Sequence, residues 1–268
     1  MVSTDNQAFY FMIIQYCSDL HLEFTQNAEF LQDSPLLPAG DILILAGDIT
    51  NLLYFQSRKT EKDFFKKLSK QFEQIFWICG NHEFYRSWDA SQAEKTLNKK
   101  VLKNVHLLNN TAIIYKNVRF VFSTLWSYIG DLEGIYIGQN MSDFELINYN
   151  GRKLTTGIYT NKLHKPSLDF LTIELSKPSN LPTVVVTHHL PSLQCIHPKH
   201  QGSPLNQGFA TNLDAFISDT QPDYWIYGHS HANRPTIEIG RTKLLTNQLG
   251  YCAYGENKGF DQAAVITL

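Results

Sequence analysis

Five short stretches of the chain concentrate groups able to hold a metal or move a proton. They are Asp19-Leu20-His21, Gly47-Asp48, Gly80-Asn81-His82-Glu83, His188-His189 and Gly228-His229-Ser230-His231. A single tetrahedral zinc takes only three or four ligands. The donors Asp19, His21, Asp48, Asn81, His188, His229 and His231 exceed that number, with His82 and His189 to spare. A set of this size suits two divalent cations about 3.5–4 Å apart that share one carboxylate. The motifs hold no thiolate and are rich in imidazole, which favours Mn, Fe or Zn and argues against a pure Mg or Ca site.

These groups need elements to position them, and each cluster follows a short apolar run. The runs are Phe11–Cys17, Ile42–Ala46, Ile75–Cys79, Val184–Val186 and Tyr224–Tyr227. Short runs rich in Val, Ile and aromatics read as strands. They are mostly continuous rather than alternating, which predicts sheets covered on both faces. In open α/β sheets the loops beyond the carboxyl ends of the strands converge on the ligand site. Five polar clusters at five strand ends are therefore expected to meet in space.

Between the second and third runs, Thr60–Phe72 places apolar residues at 64, 65, 68 and 72, a helical spacing that makes a βαβ unit. Ser87–Leu102 reads as another amphipathic helix. Strands are expected at 106–108, 111–115 and 118–122, with Lys116-Asn117 as a turn. Residues 127–162 are rich in Gly, Asn, Asp and Tyr with weak periodicity, and read as a long surface excursion or lid. No repeat or linker interrupts the chain, so residues 1–268 read as one α/β domain.

The composition narrows the class. Of 268 residues, 43% are apolar and 18% charged, an ordinary globular balance with room for a sizeable core. The formal charge of −2 supplies no global basic field, so neither nucleic acid nor an anionic membrane is an expected partner. No apolar run approaches a membrane span, and Met1–Gln7 lacks the basic and apolar regions of a signal peptide. Four cysteines stand without C-x-x-C spacing, and Cys17 and Cys79 end apolar runs as small hydrophobes. A reduced, cytoplasmic setting is expected.

The order D-x-H, G-D, G-N-H-E, H, G-H-x-H, running from Asp19 to His231, resembles the calcineurin-like metallophosphoesterase superfamily. Each element alone is weak; all of them in order, each after a strand-like run, are specific. The resemblance implies a four-layer α/β/β/α sandwich of two mixed sheets flanked by helices. It implies that Asp19, His21 and His231 bind one metal, that Asn81, His188 and His229 bind the other, and that Asp48 bridges them. Within His188-His189 either residue could be the ligand, and the family motif favours His188. A water activated between the metals would attack phosphorus, and His82, beside a ligand without being one, would serve as general acid.

Departures from the motif narrow the substrate. Gly47-Asp48-Ile49-Thr50-Asn51 lacks the second Asp and the Arg of protein Ser/Thr phosphatases, so the usual carboxylate partner of the acid is missing and Asn51 could orient His82 instead. Neither the cap and basic surface of the repair nucleases nor the tyrosine ligand of purple acid phosphatases is evident. What remains is a stand-alone phosphoesterase acting on a small phosphodiester, nucleotide or phosphomonoester, with the diester favoured. A non-catalytic scaffold is the competing class, and the intact ligand set argues against it.

Other polar residues read more blandly. The glycines at 47, 80 and 228 suit tight turns, and Glu83 suits a loop-holding role. Arg234 could pair with a substrate phosphate or stand as a surface cation, and Tyr85 and His189 are similar candidates for substrate binding. His106, His164, His197 and His200 read as structural or surface residues, His197 and His200 being the better site candidates.

Overall fold

A strand that is apolar on both faces needs a partner layer on each, and that requirement sets the architecture. The computed structural model describes residues 11–268. The stretch Met1–Gln7, read above for a leader, lies outside the described residues. The strands are β1 (Ile13–Cys17), β2 (Ile42–Leu45), β3 (Gln74–Ile78), β4 (Leu97–Leu102), β5 (Val105–Asn109), β6 (Thr111–Tyr115) and β7 (Val118–Ser123), followed by β8 (Asn148–Tyr149), β9 (Arg152–Lys153), β10 (Thr183–Thr187), β11 (Tyr224–Ile226), β12 (Ile237–Ile239), β13 (Thr242–Leu245) and β14 (Val265–Thr267). One six-stranded sheet runs β14-β1-β2-β3-β5-β4, the other β12-β13-β11-β10-β7-β6, while β8 and β9 pair separately. Parallel pairing joins β1, β2, β3 and β5 in the first sheet, and β7, β10, β11 and β13 in the second.

Successive side chains along each strand enter different cores. Ile42, Ile44, Phe76 and Ile78 meet Phe120, Phe122, Val184 and Val186 between the two sheets. Their neighbours Leu43, Leu45 and Trp77 face outward onto Phe65 and Leu68 of the helix Lys59–Leu68. On the opposite side Val121, Val185 and Trp225 pack on Leu171 and Ile217 from the helices Lys165–Leu175 and Asp214–Thr220. Truncating the fully buried Phe65 to alanine would cost about 3–5 kcal/mol. The result is the expected α/β/β/α sandwich.

Two expectations need correcting. Ser87–Leu102 is not a helix: Asp89 caps a short 3-10 turn at Ala90–Glu94, and Leu97–Leu102 becomes edge strand β4. Its backbone finds partners on β5, with Leu97 opposite Asn109 and Asn98 opposite Leu108, and this pairing overrides the local helical pattern. The 127–162 region is not an open loop. It folds as helices Asp131–Asn140 and Asp143–Leu146, the β8–β9 hairpin and a helical stretch through His164. Ile137, Phe144, Ile147, Leu154 and Tyr159 bury themselves in the first sheet's outer core. Its elements are too short to show a clear period in the sequence. The Lys116-Asn117 turn is found, with both residues at positive φ as a tight hairpin between β6 and β7 demands. Among the described residues, no helix is long and apolar enough to cross a membrane.

Candidate dinuclear metal centre

The carboxyl ends of β1, β2 and β3 lie side by side, with Cys17 paired to Leu45 and Leu45 to Trp77. In the other sheet Val186 of β10 pairs with Ile226 of β11. The loops leaving these strands are tied together directly. Asp19 N–H donates to the Gly47 carbonyl at 3.0 Å, Gly228 N–H to the His188 carbonyl at 2.9 Å, and His229 N–H to Asp19 Oδ1 at 3.0 Å. The first sheet thus brings Asp19, His21, Asp48, Asn81 and His82, and the second brings His188, His229 and His231.

Such close convergence strains the chain. Asp19, His21, Asp48, His229 and His231 all adopt left-handed backbone, with φ of 55°, 46°, 55°, 75° and 48°. L-residues enter this region only where surrounding contacts hold them. Gly80 shows how tight the packing is: a Cβ there would lie 2.2 Å from Asp48 Oδ1 and 2.7 Å from His188 Nε2. Its role is close approach, beyond the turn read from the sequence.

The side chains gather into two groups that overlap at Asp48, with a third, of His21, Glu23 and His82, beside them. Ligand atoms of Asp19, His21, Asp48 and His231 lie within 4.8 Å of one another, as do those of Asp48, His188 and His229. Asp48 belongs to both. Its Oδ2 is 3.3 Å from His188 Nε2 and 3.8 Å from His21 Nε2. His21 Nε2 faces His231 Nε2 at 2.9 Å, and Asn81 Oδ1 faces His188 Nε2 at 3.1 Å. Asn81 is oriented from behind, its amide nitrogen donating to Asp143 Oδ1 at 2.9 Å.

The outer contacts fix the tautomers. His21 Nδ1 meets Glu23 Oε1 at 3.1 Å, His188 Nδ1 the Ala46 carbonyl at 2.9 Å, and His231 Nδ1 Glu256 Oε2 at 2.9 Å. Each acceptor suits a proton on Nδ1 and turns Nε2 inward, the arrangement of metal-bound histidines. His229 Nε2 is buried without a hydrogen-bond partner. Burial penalises the Asp48 carboxylate, yet the charges of His188 and His82 hold it well below its ordinary range. Buried oxygens and imidazole lone pairs aimed at common points fit divalent cations. A hydrogen-bonded core would instead satisfy them internally.

A family model described as calcineurin-like phosphoesterase matches residues 12–233. The chain belongs to this family. It is therefore a metal-dependent phosphoester hydrolase. The chain is also 32% identical over 281 residues to an uncharacterized protein, L509, of Acanthamoeba polyphaga mimivirus, covering 96% of each. Its fold resembles the crystal structure of a phosphopantetheinyl hydrolase from Mycobacterium tuberculosis, with a TM-score of 0.65, 15% identity and 95% of both chains covered. It also resembles a dimetal phosphatase from Danio rerio, with a TM-score of 0.50 and 16% identity over 88% of this chain and 87% of that one.

In this calcineurin-like phosphoesterase, His82 stands outside both Asp48 groups. Its Nδ1 lies 2.9 Å from Glu23 Oε1, its Nε2 3.2 Å from the Tyr251 hydroxyl, and its ring stacks on Tyr85 at 4.0 Å. Burial would lower its pKa, but the carboxylates of Asp48 and Glu23 outweigh that and raise it. Asn51 does not orient this ring. Its Oδ1 caps the helix Leu52–Ser57 by accepting from Leu53 N–H at 2.9 Å, and its amide nitrogen donates to the Tyr85 carbonyl. The missing carboxylate is supplied by Glu23, two residues past His21.

Glu83 is the loop-holder that its position suggested. Its carboxylate accepts from Asp48 N–H and Ile49 N–H, each at 2.9 Å, from Gly80 N–H at 2.6 Å and from Trp77 Nε1 at 3.0 Å. Burial and the charge of Asp48 push it up to about 7, against the pull of these donors.

Two substrate-binding candidates lie elsewhere. Arg234 donates to the Ile196 carbonyl at 2.6 Å and does not line the cavity. His189 is fully buried behind the site, 2.8 Å from the Tyr159 hydroxyl, because adjacent residues point to opposite sides and His188 takes the inner one. Tyr85 does line the cavity, a cleft of about 310 Å³ whose walls include His82, Met141, Asp143, Phe209 and Tyr251. A larger cavity of about 460 Å³ between the helices Thr25–Asp33 and Lys59–Leu68 contains none of the candidate donors.

Glu23, Asp143, Tyr251 and Glu256 were not singled out from the sequence. Glu23 had a local signal in the alternation Asp19-x-His21-x-Glu23. The other three come from distant segments with no motif around them.

Proposed function

We propose that this phosphoesterase hydrolyses small phosphodiesters, nucleotide-like ones included, at a centre of two divalent cations drawn from Mn, Fe and Zn. In this reading Asp19, His21 and His231 hold one cation, Asn81, His188 and His229 the other, and Asp48 both. The observation that carries it is the membership of Asp48 in both of the ligand-rich groups, while His82 gathers only with His21 and Glu23. When bound, the cations supply Lewis acidity and make water acidic enough to act as a nucleophile near neutral pH.

The rest falls to the chain's own side chains. His82 carries a proton at Nε2, held by Glu23 at Nδ1, and delivers it to the ester oxygen as the P–O bond breaks and water's oxygen bonds to phosphorus. Tyr251, 3.2 Å from the same nitrogen, orients that proton. The cleft walls carry no lysine or arginine and include Asp143 and Glu256. Beyond the cations and protonated His82, a monoester dianion would gain no further cationic partner there, whereas a singly charged diester needs none.

Hydrolysis of paired aryl monoesters and diesters by protein stripped with chelator and reloaded with Mn²⁺, Fe²⁺ or Zn²⁺ tests the reading. Metal-dependent turnover with higher kcat/KM on the diester is expected. Preference for the monoester would overturn the diester assignment.

A further inference from the structure

Beside the metal cleft lies a second, smaller chamber of about 150 Å³ under the segment 196–209. Leu190, Ile196, Leu205 and Phe209 supply its apolar surface, and among its walls there is no lysine, arginine, aspartate or glutamate. His200, Leu205, Phe209 and Ser230 line both spaces, so the chamber adjoins the cleft. The segment is fastened at its base, where Leu190 N–H donates to the Phe209 carbonyl at 3.1 Å and Thr211 N–H to the Leu190 carbonyl at 3.0 Å. Asn206 further ties it to the His200 carbonyl at 2.9 Å.

Phe209 sets the direction. Its ring lies against His229 with centroids 4.6 Å apart. The acid candidate His82 packs on His21, 4.4 Å away, in the other donor group. An ester arm that leaves with a proton from His82 departs on that side. In an in-line displacement water takes the position opposite the leaving arm, so the retained substituent lies to the side, where Phe209 forms a wall of the cleft with the chamber behind it.

We propose that this chamber is a subsite for the retained arm of the substrate, and that it selects phosphodiesters whose retained arm is compact, uncharged and largely apolar. An apolar cavity of about 150 Å³ accommodates one six-membered ring. A charged arm would lose its hydration there, with the imidazoles of His197 and His200 as the only titratable groups among the walls. The inference rests on the diester reading above and names the class of diester.

Two substrates with one leaving group test it on the metal-loaded protein: p-nitrophenyl phenylphosphonate and p-nitrophenyl methylphosphonate. They differ only in the group retained on phosphorus. A kcat/KM at least about tenfold higher for the phenyl compound is expected, the scale on which apolar pockets discriminate. Ile196→Phe, which fills the chamber from a wall outside the cleft, should bring the ratio back toward one. Ser203→Phe, at a half-exposed position, should do the same if Ile196→Phe fails to fold. Equal rates in the wild type, or a phenyl preference untouched by both fillings, would overturn the subsite.

Calorimetric binding of phenylphosphonate and methylphosphonate separates this outcome from failure of the hydrolase reading. A tighter phenyl compound whose advantage vanishes in the filled variants supports the subsite even without turnover. Equal affinities reject it.

Discussion

Glu23 Oε1 lies 2.9 Å from His82 Nδ1 and 3.1 Å from His21 Nδ1, so one carboxylate oxygen orients both the proposed acid and a candidate ligand. Glu23 is itself held at about 2, because the hydrogen bonds from these two imidazoles outweigh the cost of its burial. Glu23→Ala should slow hydrolysis of diesters with alkyl leaving groups about 10²–10³-fold, since those departures need the proton, and nitrophenyl esters much less. Glu23→Gln keeps an acceptor for one Nδ1 and should fall between. Equal losses on both substrate types would show that Glu23 acts through metal retention and not through His82.

His82 and Asp48 should separate cleanly when metal content and turnover are measured together. His82→Ala is expected to keep two cations per chain and lose at least about 10²-fold in turnover on alkyl diesters. Asp48→Ala should lose affinity for both cations at once, because its side chain serves both donor groups. Elemental analysis after gel filtration decides. Loss of metal in His82→Ala would remove it from the acid's role.

Gly80→Ala is the smallest change expected to disable the site. The added methyl would lie 2.2 Å from Asp48 Oδ1 and 2.7 Å from Asp48 N, so both the carboxylate and its backbone would have to shift. Metal affinity should drop about 10–100-fold, as it does when groups orienting the ligands are disturbed. Unchanged affinity by titration would mean that the loop shifts freely.

The metal-free protein should respond to pH in a defined direction. Burial disfavours charge on His188 and His231, but Asp48 and Asp19 reverse this for His188, and hydrogen bonds to Asp19 and Glu256 reverse it for His231. Their pKa values rise to about 9 and about 10 from an ordinary 6.5. Between those limits the folded protein holds protons that the unfolded chain has released. This contribution is complete below about 6.5 and disappears as pH climbs through 9 to 10. The Tm of chelator-stripped protein should therefore fall from pH 7 to pH 10. Cation binding displaces the same protons, so affinity should rise over this range. A Tm that climbs with pH would contradict the charge assignment.

Much of the fold was legible because burial on both faces leaves a mark that local context cannot erase. The runs Ile42–Ala46 and Val184–Val186 read as strands for that reason, and strands stand there at Ile42–Leu45 and Thr183–Thr187. The edge strand Leu97–Leu102 was not legible, since its half-exposed pattern lacks such a mark and its pairing partner decides it. The site's inner residues announced themselves by spacing, at strand ends that the topology brings together. Its outer contacts did not. Asn51 stood where a carboxylate partner was wanted, and only three-dimensional contact reveals that Glu23 fills that place. Glu256 lies 25 positions along the chain from His231, a separation that no local pattern encodes.

The division of the donors between the sheets has a mechanical consequence. Asp19, His21, Asp48 and Asn81 hang from one sheet, while His188, His229 and His231 hang from the other, and the core between the sheets is largely apolar. Cations bound to this set clamp the two layers together at one rim, as a rivet joins two plates. The layers would then be free to slip only at the end remote from catalysis, and the catalytic rim would be the stiffest part of the seam.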